Sequence, residues 1–200
     1  IDLSQAGDPR ILIINKTPLG RAQLQPLADA GLEYVGVLAT GTDVVDTGCA
    51  KERGIVVTNV PGYGEDTVPS YVMGTVGYDM WHLGQHFQLT ASGGWSLSRD
   101  AHWCMPVAAP VYPKIGILGS GSIGSRIKKM AEAMGMQAHF LENPRRSYED
   151  DGKERVSFER ALKALGLNYI VLCCPLSDDS MSIIDNDFFD LIPAEMRGKV

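Results

Sequence analysis

The stretch at residues 114–125, "KIGILGSGSIGS", is an apolar run that breaks into three glycines, Gly119, Gly121 and Gly124, at the spacing GxGxxG. A short apolar run reads as a buried strand, and the residues from Ser122 onward place apolar side chains at helical spacing, so the segment predicts strand, tight turn and helix. In such a turn the first glycine lets the chain reverse, the second lets backbone approach a pyrophosphate, and the third lets helix and strand pack closely. Ser122 and Ile123 open the helix, whose free N–H groups and positive end then suit an anion. The alternative is a plain packing turn, since glycine-rich turns also occur where nothing binds.

The sequence downstream supports the ligand reading. A second strand over residues 137–141 ends in Glu142, 18 residues after Gly124 (142 − 124 = 18). An acid there accepts hydrogen bonds from the adenosine ribose hydroxyls of a dinucleotide and repels a 2′-phosphate, which favours NAD; Asn143 stands beside it to share that role. Arg145 and Arg146 point the other way, because guanidinium groups past this strand also accommodate the 2′-phosphate of NADP.

Working outward, "RILIIN" (10–15), "EYVGVLA" (33–39) and "IVVTNVPG" (55–62) read as strands, separated by a Pro-initiated helix through Leu27 and a helix opened by Asp43 and closed by Gly54. Strands alternating with helices imply right-handed crossovers and parallel sheets, an α/β chain. Residues 66–89 predict one long helix with Pro69 in its first turn. Residues 90–113, rich in Gly, Ser, Ala and Pro, predict a connection and divide the chain into residues 1–89 and 90–200. A helix over 158–165, a strand over 168–173 and a short helix near 186–191 complete the second part. Residues 149–155, dense in charge, read as a solvated loop.

Composition excludes several partners. With 18 Lys and Arg against 24 Asp and Glu the net charge is −6, and no basic block clusters as a nucleic-acid footprint needs. No apolar run approaches the roughly 20 residues of a membrane span. Cys49, Cys104, Cys173 and Cys174 lack CxxC spacing, which predicts free thiols and a cytoplasmic setting. His82 and His86 stand at i and i+4 without a third ligand nearby, so no metal site is assigned. Trp81, Phe87, Trp95 and Trp103 predict interface and linker packing.

Several segments in one order resemble the D-isomer-specific 2-hydroxyacid dehydrogenase family, nearest its glycerate dehydrogenase or hydroxypyruvate reductase branch. They are "NKTPL" (15–19), "YVGVLATGTDVVDTGCAKERGIVVTNVPGYGEDTV" (34–68), the glycine turn, "GM" (135–136) and "CPLSDDS" (174–180). The resemblance implies part of a flavodoxin-like substrate domain with its linking helix over residues 1–89 and part of a Rossmann NAD-binding domain over residues 90–200. It implies hydride transfer between NAD(H) and a small 2-oxo or 2-hydroxy acid of glyoxylate or hydroxypyruvate and glycerate type, in a homodimer. Ala39, Thr40 and Gly41 correspond to a loop whose N–H groups hold the substrate carboxylate, Tyr63 to a pocket-lining position, and Cys174, Pro175 and Leu176 to a loop against the adenosine. The family's catalytic Arg follows the strand that Val200 would begin, and its Glu–His pair lies further on. No catalytic residue is therefore assigned among these 200, and both ends look cut. A non-catalytic NAD(H)-binding or corepressor-like protein on the same fold is the alternative.

Overall fold

Short β-branched runs and short amphipathic helices alternate along the chain, and the computed structural model turns each run into a parallel strand. It describes residues 10–94, 113–148 and 151–194. Packing divides the chain into residues 1–64 and 65–200.

In the first unit β1 (Ile11–Ile14), β2 (Tyr34–Val37) and β3 (Val56–Thr58) form a sheet in the order β1-β2-β3. Both crossovers step the same way, so right-handed connections put α1 (Arg21–Asp29) and α2 (Thr47–Glu52) on one face. Leu24 and Leu27 of α1 and Cys49 of α2 bury there against Val35 and Val37. Ile11, Ile13 and Val56 are exposed. Helix α1 starts at Arg21 rather than at Pro18. Leu19 is held extended by its N–H on the Val44 carbonyl at 2.7 Å and its carbonyl on the Asp46 N–H at 2.9 Å.

In the second unit β4 (Lys114–Leu118), β5 (Gln137–Leu141), β6 (Arg155–Val156) and β7 (Tyr169–Leu172) are all parallel, in the order β6-β5-β4-β7. Two apolar clusters cover the sheet. One joins Ile115 and Ile117 to Met73 and Val76 of α3 (Thr67–Met80) and Ile127 of α5 (Ser122–Ala133). The other joins Leu118 and Leu141 to Leu162, in a π-helical segment at Arg160–Leu165, and to Phe188, which stands in a short helix further on. The chain runs outward from β4 to β6 and returns to β7 on the other side of β4. Adjacent crossovers that diverge leave a crevice at the carboxyl ends of the two central strands, where open α/β sheets bind ligands.

Three expectations change. The long helix of residues 66–89 is two helices, α3 and α4 (Leu83–Ala91), broken at His82, which adopts left-handed φ +50°. A Cβ at Gly84 would meet the phenol end of the exposed Tyr78 side chain, which would have to swing aside. Packing divides the chain between Gly64 and Glu65, upstream of residue 89, because α3 lies on α5. The connection expected beyond α4 falls mostly outside the described residues, as do Trp95, Trp103, Cys104 and Val200. The solvated loop at 149–155 in fact ends in β6, because edge pairing with β5, and not local composition, decides that two-residue strand. The short helix near the end is α6 (Asn186–Asp190), capped by the Asp185 carboxylate on the Phe188 N–H.

Candidate functional site

The glycines of the turn have three separate reasons to be glycine. Gly119 has φ +116°, and a Cβ on it would stand 2.7 Å from the Cys173 carbonyl carbon and the Cys174 nitrogen. A Cβ on Gly124 would collide with the Gly119 carbonyl oxygen and stand 3.0 Å from the Cys173 Sγ. Around Gly121 nothing lies within 4 Å. That last glycine is needed by no protein neighbour; its bare side faces open space.

Open space there is part of a cavity of about 380 Å³ at the switch between β4 and β7. Gly121 caps α5, and among the described residues no side chain bonds the helix's first N–H groups. Helix α2 differs: its Asp46 carboxylate accepts from the Cys49 N–H at 2.8 Å. A helix of 12 residues thus presents uncapped donors and the positive end of its dipole to the cavity, which suits an anion.

The structure brings most of the expected cofactor residues to this cavity. Gly119, Gly121, Ser122, Ile123 and Gly124 line one wall, Asn143 a second, and Cys174 and Pro175 a third. Glu142 and Leu176 do not line it; both are exposed. Glu142 follows the last residue of β5, its N–H pairs with the Val156 carbonyl at 2.9 Å, and its exposed carboxylate acts on Arg155 of the cavity lining, whose pKa it helps Asp151 to raise. Asn143 is buried and committed. Its Nδ2 donates to the Asp179 carbonyl at 3.0 Å, and its Oδ1 accepts from the Arg145 N–H at 2.9 Å. It ties the loop after β5 to the loop after β7.

Other lining groups were not assigned from the sequence: Ser120, Tyr148, Arg155, Ser177, Asp179 and Ser180. The Ser180 hydroxyl donates to the Pro175 carbonyl at 2.6 Å and accepts from the Ser177 N–H at 2.8 Å, holding the loop after β7 in shape. Arg155 and Lys153 both reach Ser120, at its hydroxyl and its carbonyl respectively. The one available signal was Ser120 itself, inside the glycine turn. The hydrogen bond from Arg155 holds the Asp151 carboxyl down at about 2, and Asp151 in turn raises Arg155. Burial, with the neighbouring Cys174 second, pushes the Cys173 thiol up to about 11. Cys173 is a packing group here, donating weakly to the Gly119 carbonyl at 3.3 Å.

In the first unit Ala39 is buried, and Thr40 and Gly41 are exposed at the end of β2. The carbonyls of Ala39 and Thr40 accept from the Val60 N–H at 3.0 Å and the Asn59 Nδ2 at 2.6 Å, while the N–H groups of Thr40 and Gly41 make no hydrogen bond among the described residues. Oriented free amides are an anion-binding arrangement. Tyr63 is exposed on the same unit. Among the described residues no three His, Cys, Asp or Glu side chains gather as a metal site, and no helix is long and apolar enough to cross a membrane.

Comparison with known proteins adds the family. Residues 4–167 match the model of "D-isomer specific 2-hydroxyacid dehydrogenase, catalytic domain". A hydroxypyruvate reductase of Blautia hydrogenotrophica is 32% identical over 189 residues, covering 92% of this chain and 57% of that protein. A glycerate dehydrogenase of Methylorubrum extorquens is 36% identical over 128 residues, covering 64% and 40%. The chain therefore spans about half the length of these relatives. In fold it is similar to a D-lactate dehydrogenase from Aquifex aeolicus solved with NAD and lactic acid, at TM-score 0.73 and 19% identity over 96% of this chain and 56% of that one.

Proposed function

The chain belongs to the D-isomer specific 2-hydroxyacid dehydrogenase family, and from that premise we propose that its second unit holds a nicotinamide dinucleotide by its pyrophosphate over residues 119–124. The observation that carries this is the pairing of Gly121's unfilled side with the uncapped N-terminus of α5 in one cavity. A group with two adjacent phosphates fits those donors, and Cys174 and Pro175 offer a partly apolar wall to the adenosine. The cofactor supplies or accepts hydride when bound. This chain's own residues bind and orient it: the turn supplies backbone N–H groups, and Asn143 and Ser180 fix the two loops that frame the cavity.

The whole protein, on this reading, reduces or oxidises a small 2-oxo or 2-hydroxy acid of glyoxylate or hydroxypyruvate and glycerate type, in the cytoplasm. The N–H groups at Thr40 and Gly41 receive the substrate carboxylate, with Tyr63 lining that side. A second copy of the chain covers the exposed Tyr78, Trp81 and Phe87 of α3, α4 and their junction as a homodimer. NAD is the form that an acid at Glu142, exposed just past the end of β5, favours.

Titration with NADH and NADPH, followed by nucleotide fluorescence, tests the binding reading. Saturable quenching or enhancement that Gly121→Val abolishes supports it, and no binding of either nucleotide ends it. Oxidation of the reduced nucleotide with hydroxypyruvate or glyoxylate by the full-length protein tests the reaction. Binding without turnover would favour a non-catalytic nucleotide-binding protein.

A further inference from the structure

A turn that receives an anion on its backbone N–H groups does so best when those groups already point the right way in the empty protein, because ordering them on arrival subtracts from affinity. Ser120, between the first two glycines, is where the fold fixes that direction. Its carbonyl accepts from the Lys153 ammonium and from the Ser125 hydroxyl at 3.2 Å, and its own hydroxyl oxygen accepts from Arg155 Nη2 at 2.8 Å. The two donors occupy both lone pairs of the carbonyl. In a planar trans peptide the N–H lies opposite the C=O, so holding the Ser120 carbonyl also sets the Gly121 N–H. That N–H and the Ser122 N–H make no hydrogen bond among the described residues, and both residues line the cavity.

Arg155 is built to hold and not to receive a ligand. Its side chain is 10% exposed and its guanidinium lies 4.2 Å from the Tyr148 ring centroid. Asp151 accepts from Nη1 at 2.9 Å and from Nη2 at 2.6 Å, so the fork is filled and its charge offset, with the Glu142 carboxylate acting on it as well. What such a fork contributes to the cavity is its grip on Ser120. Its supports are themselves fixed. Arg155 pairs in register with Phe140 of β5, the Tyr148 hydroxyl accepts from the Asn143 N–H at 2.9 Å, and the Lys153 N–H donates to the Asp151 carboxylate at 3.1 Å.

The strand order makes this grip necessary. In β6-β5-β4-β7 the strand β5 stands between β6 and β4, so sheet pairing does not join β6 to the turn that follows β4. The contacts from Arg155 and Lys153 to Ser120 are side-chain links across the end of β5. On the other flank the bare Cα of Gly119 rests against the peptide between Cys173 and Cys174. The turn is thus fixed by backbone packing on the β7 side and by two cations on the β6 side.

We infer, resting on the dinucleotide reading, that Arg155 and Lys153 are positioning residues: through Ser120 they hold the Ser120–Gly121 peptide ready for the pyrophosphate, without themselves touching the nucleotide. The test is the dissociation constants of NADH and NADPH for the full chain and its variants, read by nucleotide fluorescence. Lys153→Met, on an exposed side chain, should weaken both nucleotides by the same factor, about threefold to tenfold, and leave the urea midpoint unchanged. Arg155→Met should also weaken both equally. Ser120→Ala should lose about as much as Arg155→Met, the double variant should lose no more than about twofold beyond either, and Ser120→Thr, which keeps the hydroxyl, should bind as the wild type does. A general loosening of the fold would give neither the non-additivity nor the rescue. Lys153→Met carries the test if Arg155→Met does not fold. Additive losses, a loss confined to NADPH, or unchanged affinity in Lys153→Met would overturn the assignment while leaving the dinucleotide reading intact. Failure of the wild type to bind either nucleotide would take down both.

Discussion

The two sheets are built from the same kind of strand, yet the first carries helices on one face among the described residues and the second on both. In the first unit both crossovers step in one direction, so α1 and α2 share a face and Ile13 on the other is 54% exposed. In the second the return to β7 reverses the direction, helices lie on both faces, and Ile117 is 0% exposed. The same reversal separates the loops after β4 and β7 and leaves the cavity between them. Double burial and a ligand-sized crevice are two results of one change in strand order.

Matched truncations in the two sheets give the largest expected effect. Ile117→Ala should cost about 2–5 kcal/mol by urea denaturation, since it empties a site packed from α3 and α5. Ile13→Ala should stay within about 0.5 kcal/mol. Similar losses at both positions would show that something covers the first sheet's outer face, and the contrast drawn here would fail.

Next in size is a contrast within the glycine turn. Gly124→Ala must displace the Gly119 backbone and should cost about 1–3 kcal/mol, in the range of overpacked sites. Gly121→Ala meets open space, so stability should hold within about 1 kcal/mol while nucleotide affinity falls about tenfold or more. Thermal melts with and without nucleotide separate the two. An alanine at 121 that leaves affinity unchanged would mean the open side of the turn is not where the ligand sits.

The helix N-termini continue the comparison at a smaller scale. Helix α2 is closed by Asp46, and Asp46→Ala should cost about 1 kcal/mol. Helix α5 spends no side chain on its cap, so its donors are stabilised only when a ligand arrives. Nucleotide should therefore raise the melting temperature of the wild-type chain and do so equally in Asp46→Ala; a smaller ligand shift in that variant would couple two helix ends that the comparison treats as independent.

These contrasts mark what could be read from the residues. The apolar run of β4, the three glycines and Asn143 were legible because each is a local pattern: a strand, a turn that needs positive φ or missing Cβ, a polar group just past a strand end. Glu142 was read as a ribose ligand from its spacing after the glycine turn, and in the fold it stands exposed just past the end of β5. Arg155 was invisible for the opposite reason. Its two-residue strand is dictated by pairing with β5, and around it Asp151, Lys153 and Glu154 give the composition of a solvated loop. The break between α3 and α4 was missed because apolar spacing continues across it and the residue that takes left-handed φ is a histidine.

Cysteine chemistry gives the smallest effect and distinguishes protection by folding from protection by ligand. Cys49 is fully buried in the first unit, and Cys173 and Cys174 are half-buried in the cavity lining, Cys173 with its Sγ on the Gly119 carbonyl. At pH 8 iodoacetamide should label Cys174 ahead of Cys173 and Cys49, and bound nucleotide should slow Cys174 and Cys173 while leaving Cys49 unchanged. Burial raises the Cys173 pKa from 9.0 to about 11, so the neutral thiol is the form the fold favours. Any stability this contributes is complete below the ordinary thiol pKa and is lost as pH rises from 9.0 toward about 11. Labelling of Cys173 should accordingly climb across that interval, with the fold loosening behind Gly119 as the thiolate forms. Peptide mapping after timed labelling reads all three sites at once. Cys173 reacting as fast as Cys174 at pH 8 would mean that the strand end behind the turn is open to water, and the packing role given to Cys173 would have to be withdrawn.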